Sequence, residues 1–264
     1  DKTEDMGIWL DNFHKEYPSV PLGITEYGCE AVIRYHNDNP RVSDYSEEYQ
    51  TKYHHEILQI FTKRPWLWGT FVWNMFDFAS DLRNEGGSKG INNKGLVTHD
   101  RLVRKDSFYI YQSYWSKQDV LHISSKRYSK REKDKISVSV ITNSGNVELL
   151  VNGISIGFVS AVKNIARFEN VKLKKGENII IARTKNKSDT AYFELVRKAE
   201  ESYICTSNTS KPGEEVANWF SGQNDEKELP PLEFPEGFYS IKDKISQILE
   251  NPEGETVLKK YMAA

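Results

Sequence analysis

Glu26 closes the short apolar stretch Val20-Pro21-Leu22-Gly23-Ile24-Thr25, and Gly28 breaks the chain two residues later. Bounded by Pro18 and Gly28, this stretch reads as a short buried strand with a carboxylate at its C-terminal end. Where strands and helices alternate, the C-terminal strand ends carry the chemistry. Glu26 is therefore the candidate nucleophile, and the competing assignment is a structural ion pair with Arg or Lys. A second strand, Gly69-Thr70-Phe71-Val72-Trp73, ends in an indole followed by Asn74, and Asn92-Asn93-Lys94 stands in the loop beyond it. On parallel strands these groups converge on one mouth. They suit cleavage of a glycosidic bond. Retaining hydrolysis needs a carboxylate nucleophile and a second carboxyl about 5–5.5 Å away. An indole offers a flat wall for one sugar face, and Asn and Lys donate to hydroxyls or to a carboxylate. Tyr27 and Asn74 are counted with Trp73, Asn92 and Lys94 as candidate substrate contacts. Core packing for Trp73 and simple solvation for Lys94 are the plain alternatives.

The elements that must position these groups follow from periodicity. Met6, Trp9, Leu10, Phe13 and Tyr17 predict a helix over 4–17. A second helix is predicted over 46–63, starting at Ser46 and stopped by Pro65, and a third over 104–116, aromatic on one side. Helix, strand, helix, strand, helix is the alternation of an α/β domain with parallel strands. Two strands cannot close a barrel, so this portion reads as a piece of one. Residues 29–45 read as a long surface loop, and the charged run 126–135 as a solvated turn.

Beyond Lys117 the pattern changes to short alternating strands: one at Ile136, Val138 and Val140, others at 147–151, 154–159, 178–184 and 191–196. Asn152-Gly153 between two of them is a strong hairpin signal. This predicts an all-β sandwich with immunoglobulin-like spacing. A linker is expected over 206–214, then two short helices: 240–250, with Ser240 and Asp243 as a capping box, and 253–262.

Composition excludes several classes. Lys plus Arg number 36 and Asp plus Glu 38, so the net charge of −2 points to neither a nucleic-acid nor a membrane partner. The two cysteines, Cys29 and Cys205, have no metal-ligand spacing, and Cys29 reads as a small buried residue. The adjacent His54 and His55 face different ways on a helix and make no metal pair.

Four stretches in order carry a specific resemblance: Ile24-Thr25-Glu26-Tyr27-Gly28, Ser46-Glu47-Glu48-Tyr49-Gln50, the run from Gly69 through Trp73-Asn74-Met75-Phe76-Asp77-Phe78, and Asn92-Asn93-Lys94-Gly95-Leu96-Val97-Thr98-His99-Asp100-Arg101. They resemble the C-terminal part of the catalytic barrel of family 2 glycoside hydrolases, the β-galactosidases and β-glucuronidases. Val147-Glu148-Leu149-Leu150-Val151-Asn152-Gly153 resembles the sandwich that follows the barrel in many bacterial β-galactosidases of this family. The match covers residues 20–155 well and is loose beyond 200.

The resemblance implies the C-terminal portion of a TIM (β/α)8 barrel at 1–117, an immunoglobulin-like β-sandwich at 118–198, and a linker with a partly helical extension at 199–264. It implies that Glu26 is the nucleophile on the seventh barrel strand and that Trp73 ends the eighth, beside the sugar. Asn92 and Lys94 match the Asn-x-Lys element that holds the substrate carboxylate in β-glucuronidases. The sandwich favours a β-galactosidase, because the smaller β-glucuronidases end after the barrel. The family's acid/base Glu follows an Asn on the fourth strand and has no counterpart in this chain. Asn84-Glu85 lies on the wrong side of the nucleophile and reads as coincidence.

The expectation is thus hydrolysis of terminal β-D-galactose with retention by a longer parent enzyme, the chain alone being inactive. A β-glucuronidase, or a non-catalytic carbohydrate-binding or scaffold module, is the alternative. The expected partner is a carbohydrate substrate. No cofactor is expected, a metal ion in the parent enzyme staying open, and bacterial cytoplasm and periplasm fit equally. Barrel-interior faces, among them Phe71 and the Ile24 strand, are expected to be covered by the sandwich, by the C-terminal helices or by a second copy in a homo-oligomer.

Overall fold

The computed structural model describes residues 3–81, 83–206, 237–240 and 243–262. Contacts divide the chain into two units, residues 1–216 and 217–264. The first opens with α1 (Thr3–Glu16), β1 (Leu22–Tyr27), α2 (Glu47–Thr62), β2 (Leu67–Val72) and, after a long loop, α3 (Asp106–Trp115). α2 begins as its cap predicts: the Ser46 hydroxyl accepts the Tyr49 N–H at 3.1 Å. β1 and β2 pair in parallel, from Leu22 opposite Leu67 to Tyr27 opposite Val72, with a register irregularity on each side of Ile24.

That irregularity decides which side chains face where. Regular alternation turns every second residue to one side. Here Ile24 and Tyr27, three apart, are both buried, while Thr25 and Glu26 between them are exposed. Ile24 and Tyr27 pack with Leu10, Ile57, Phe61 and Ile110 on the side of the helices. Ile24 is thus covered, as expected, though by the helices of its own layer. Trp68 and Phe71 of β2 do lie open, 63% and 51% exposed, so the sandwich does not cover them.

Residues 29–45 are not a surface loop. Val32, Tyr35 and Tyr45 form a buried cluster with Cys205 against it, and the His36 ring nitrogen Nδ1 lies 3.0 Å from the Glu48 carboxylate. After β2 the chain forms two short antiparallel strands, β3 (Phe78–Ala79) and β4 (Ile91–Asn92), which close the 80–90 segment into a loop.

The segments around the strand ends are held together by one buried cation. Lys105, fully buried, precedes α3. Its ammonium donates to the Ala31 carbonyl at 2.7 Å, to Asp77 Oδ1 at 2.8 Å and to the Asn93 carbonyl at 2.9 Å. These acceptors lie past β1, past β2 and past β4. Three acceptors match the three donors of an ammonium. Burial pulls this lysine below its usual range, and the carboxylate of Asp77 pulls it back up.

Residues 121–195 form a two-sheet sandwich. One sheet has the order β10 (Ile165–Lys172), β7 (Lys135–Thr142), β5 (Leu121–Ile123). The other has β6 (Lys130–Arg131), β12 (Ser188–Leu195), β11 (Gly176–Arg183), β8 (Asn146–Val151), β9 (Ile154–Ser160). Ile136, Val138, Val140, Val147, Leu149 and Phe193 fill the space between. The Asn152-Gly153 turn joins β8 to β9 as predicted, both residues at positive φ (51° and 83°).

The charged run before β7 is a fastening, not a solvated turn. Arg127 Nε donates to Glu47 Oε2 at 2.7 Å, and its Nη2 donates to both Glu47 Oε1 and Asp106 Oδ1. Asp106 also accepts the Ser125 N–H at 2.5 Å and lies 2.8 Å from His122 Nε2. Arg131 is only 5% exposed, donates to Asp38 at 3.1 Å and lies over the Tyr128 ring. The opposite side of the seam is neutral: the Lys163 carbonyl accepts from Tyr114 at 2.9 Å, and Asn164 donates to the Ser113 carbonyl at 2.9 Å.

In the second unit, α4 (Ile245–Glu250) and α5 (Pro252–Met262) are joined at Asn251, whose Oδ1 accepts the Glu253 N–H at 2.9 Å. The first helix starts later than predicted. The Ser240 N–H donates to Asp243 at 2.6 Å, but the helix begins at Ile245, where Gln247 accepts the Lys244 N–H at 2.8 Å. Ile245 and Leu249 are 60% and 43% exposed, so neither is enclosed by the pairing of the two helices. Ile241 and the linker residues 207–214 lie outside the described residues.

Two substitutions test these fastenings. Lys105→Met strands Asp77 and two carbonyls and should cost about 3–5 kcal/mol, read as a lower urea midpoint. The exposed pair Lys133–Asp38 is the control, and Lys133→Met should cost less than about 1 kcal/mol. Arg127→Met leaves the fully buried Glu47 without its cation and should also cost about 3–5 kcal/mol. A midpoint unchanged by Arg127→Met would place that guanidinium outside the fold's energetics.

Candidate active site

The parallel pairing sets the ends of β1 and β2 side by side. The Trp73 N–H donates to the Tyr27 carbonyl at 2.8 Å, so Glu26 and Trp73 stand on neighbouring strand ends. Close approach here requires glycine. A Cβ on Gly28 would stand 2.0 Å from the Trp73 carbonyl oxygen, and one on Gly95 would stand 2.0 Å from the Asp77 nitrogen. The loop carrying Lys94 is stitched to the same place: Asn74 N–H donates to the Lys94 carbonyl at 3.2 Å, and Leu96 N–H to the Asn74 carbonyl at 3.0 Å. Glu26, Trp73, Asn74 and Lys94 thus occupy one end of the sheet.

Their side chains differ in freedom. Glu26 is exposed. The Trp73 ring is 37% exposed and meets Phe78 edge-on at 5.7 Å between centroids. One edge of the indole is therefore packed while part of its surface stays open. Asn74 turns its Oδ1 back onto the Met75 N–H at 2.5 Å. Asn92 is buried, and its Oδ1 accepts the Lys94 N–H at 3.0 Å, fixing the turn that presents Lys94. The Lys94 ammonium has no hydrogen bond or ion pair among the described residues, and its charge is felt at Glu30 and Cys29.

Tyr27 does not join them. It is 4% exposed, its ring meets Phe61 edge-on at 4.9 Å, and its hydroxyl accepts from Tyr111 at 3.2 Å. The register irregularity turns it toward the helices, so its expected substrate contact is corrected to a packing role. Cys29, read as a small buried residue, is half-buried, and burial pushes its thiol up, away from the thiolate. His54 is buried with its Nδ1 2.7 Å from the Tyr111 hydroxyl, and burial pushes it down to about 3, so it stays neutral. Among the described residues no cluster of three His, Cys, Asp or Glu side chains is placed to hold a metal ion. No helix among them is long and apolar enough to cross a membrane.

Several functional neighbours carry no local signal. Lys105 looks like any lysine ahead of a helix, and Asp77 like any polar residue between aromatics. Only the 2.8 Å contact across 28 residues distinguishes them. Glu30 and Arg83, paired at 2.5 Å, come from two loops 53 residues apart. Glu85, discounted as a coincidental Asn-Glu pair, completes that cluster at 3.2 Å from Arg83.

The sequence family described as "Domain of unknown function (DUF4982)" matches residues 133–190, within the sandwich. A β-glucuronidase of Bacteroides fragilis is 43% identical over 189 residues, which is 69% of this chain and 27% of that protein. The structure of an FMN-binding β-glucuronidase from Facaelibacterium prausnitzii L2-6 aligns with a TM-score of 0.74 at 45% identity, covering 77% of this chain and 31% of that one. A putative β-galactosidase from Bacteroides fragilis aligns with a TM-score of 0.69 at 32% identity, covering 76% and 32%. The chain spans 27–32% of the length of these relatives. The motifs at Glu26, Trp73 and Lys94 and these similarities agree: the chain is a relative of the C-terminal part of the family 2 glycoside hydrolases.

Proposed function

We propose that the longer protein to which this chain corresponds hydrolyses β-D-glucuronides with retention of configuration, Glu26 acting as nucleophile. On this reading β1 and β2 are two strands of an eight-stranded barrel, with the sandwich as its support. Glu26 attacks the anomeric carbon and forms a glycosyl ester, while a carboxylic acid outside this chain protonates the leaving oxygen. Water then cleaves the ester, the same acid now serving as base. Trp73 walls one face of the ring, and the ammonium of Lys94, on the turn that buried Asn92 fixes, takes the sugar carboxylate.

The observation that carries this reading is the backbone stitching of Lys94 to Asn74 beside the exposed Glu26. It puts an uncommitted cation at the strand end that bears the carboxylate. A cation there suits an acidic sugar better than a neutral one. The expectation of a galactoside rested on the sandwich. A 45%-identical β-glucuronidase aligns over 77% of this chain, far past residue 117, which removes that reason. β-Galactosidase remains the second reading on the strength of the 32%-identical relative so named.

Two substitutions in the full-length protein test this. Glu26→Gln cannot form the ester and should lower kcat on the order of 10⁴–10⁶-fold with substrate binding kept. Near-normal turnover would remove Glu26 from the chemistry. Lys94→Ala should lower kcat/KM on p-nitrophenyl β-D-glucuronide by roughly 10²–10³-fold and leave the galactoside nearly unchanged. Equal small losses on both would favour the galactoside.

A further inference from the structure

Three charged side chains gather where the chain leaves β1, beside the loop carrying Lys94. Arg83 Nη1 donates to Glu30 at 2.5 Å and reaches Glu85 at 3.2 Å. All three side chains are largely enclosed: Glu30 8%, Arg83 16% and Glu85 19% exposed. Glu85 Oε2 is buried with no hydrogen-bond partner. The charge of Lys94 is felt at Glu30. Its segment is tied to that of Glu30 by the Ala31 N–H on the Asn93 carbonyl at 3.1 Å, and by Lys105 on both carbonyls. The reaction proposed above uses neither Glu30 nor Glu85.

Charge counting shows what this cluster does when an acidic sugar arrives. Glu30 and Glu85 already share the Arg83 guanidinium. A sugar carboxylate at Lys94 adds a negative charge beside these two enclosed carboxylates, which is costly away from water. The cheapest remedy is a proton on the carboxylate least willing to be charged. Burial and then the charge of Glu85 raise Glu30 to about 7, with Arg83 and Lys94 holding it down. Once Lys94 is engaged by the sugar, its hold on Glu30 weakens and a new negative charge stands nearby, so Glu30 binds a proton more tightly. The other titratable groups beside it, Tyr45 and Cys29, are pushed up by burial and stay neutral in this range.

We propose that Glu30 is a positioning residue that couples the binding of an acidic sugar at Lys94 to the uptake of one proton. This rests on Lys94 holding the sugar carboxylate. The proton comes from solvent and turns the Glu30 carboxylate into a neutral carboxyl, and no bond of the sugar changes. With Glu30 neutral, the Lys94 ammonium is left wholly to the substrate. A neutral sugar brings no charge and draws no proton.

The test is calorimetry of the full-length enzyme with phenyl 1-thio-β-D-glucuronide, in buffers of different ionisation enthalpy. Uptake should approach one proton per ligand near pH 8 and vanish toward about pH 6, and affinity should fall up to tenfold per pH unit above about 7. Phenyl 1-thio-β-D-galactoside should draw none. Glu30→Gln should bind the glucuronide without uptake, and Glu85→Gln, which removes the like charge, should move the onset of uptake to lower pH. Binding without uptake in the parent enzyme overturns the proposal, as does uptake that survives Glu30→Gln. Should Glu30→Gln not fold, an onset that Glu85→Gln leaves in place overturns it. Failure of the parent enzyme to bind the acidic ligand at all overturns the Lys94 reading and this proposal with it.

Discussion

The candidate site depends on one ammonium kept out of water. Lys105 has no solvent to turn to, so its three protons must be taken by protein. The acceptors it finds are the carbonyls of Ala31 and Asn93 and the carboxylate of Asp77. Each belongs to a different segment leaving the sheet. None can move without stranding a buried charge. The Asp77 carboxylate is used twice, since it also accepts the Gly95 N–H at 2.8 Å. Through these bonds the segment leaving β1 and the Lys94 loop share one base.

The same logic joins the sandwich to the helices. Glu47 and Asp106 stand buried at the starts of α2 and α3, where water cannot serve them, and Glu47 accepts the Asp106 N–H at 2.7 Å. Their cation is Arg127, between β5 and β6 of the sandwich, and His122 stacks at 3.7 Å on Tyr109 while meeting Asp106. A buried carboxylate with its cation removed is far costlier than one never buried. The sandwich therefore completes the electrostatics of the helical layer, and the helices hold β1 and β2. Support of this kind explains why a β domain without clustered chemistry of its own accompanies the site.

Geometry at the end of β1 shows how little separates a packing residue from a reactive one. A register irregularity of the kind that bends strands near active sites leaves Glu26 exposed and turns Tyr27 inward. The carboxylate then faces the side where Trp68 and Phe71 also lie open. Beside it the loop from Arg83 to Lys94 carries charges of both signs, two enclosed in the Glu30 cluster and one uncommitted at Lys94.

Local order was legible in the residues themselves. Apolar spacing placed α1, α2, β1, β2 and α3 in order, Ser46 marked the start of α2, and Asn152-Gly153 marked its hairpin, because each is set by interactions within a few residues. Glu26 and Trp73 stood out for the same reason, as chemical groups at predicted strand ends, and Lys94 in the loop beyond the second. The tertiary structure alone decided that Tyr27 packs on Phe61, because a slip in register exchanges the faces of a strand and leaves no mark in composition. It alone turned Arg127 and Arg131 from solvated charges into fastenings, and linked Lys105 to Asp77 and Glu30 to Arg83. Those pairs lie 28 to 93 residues apart. A charged side chain has the same local signature in water as in the interior, and only the fold supplies the partner that lets it be buried.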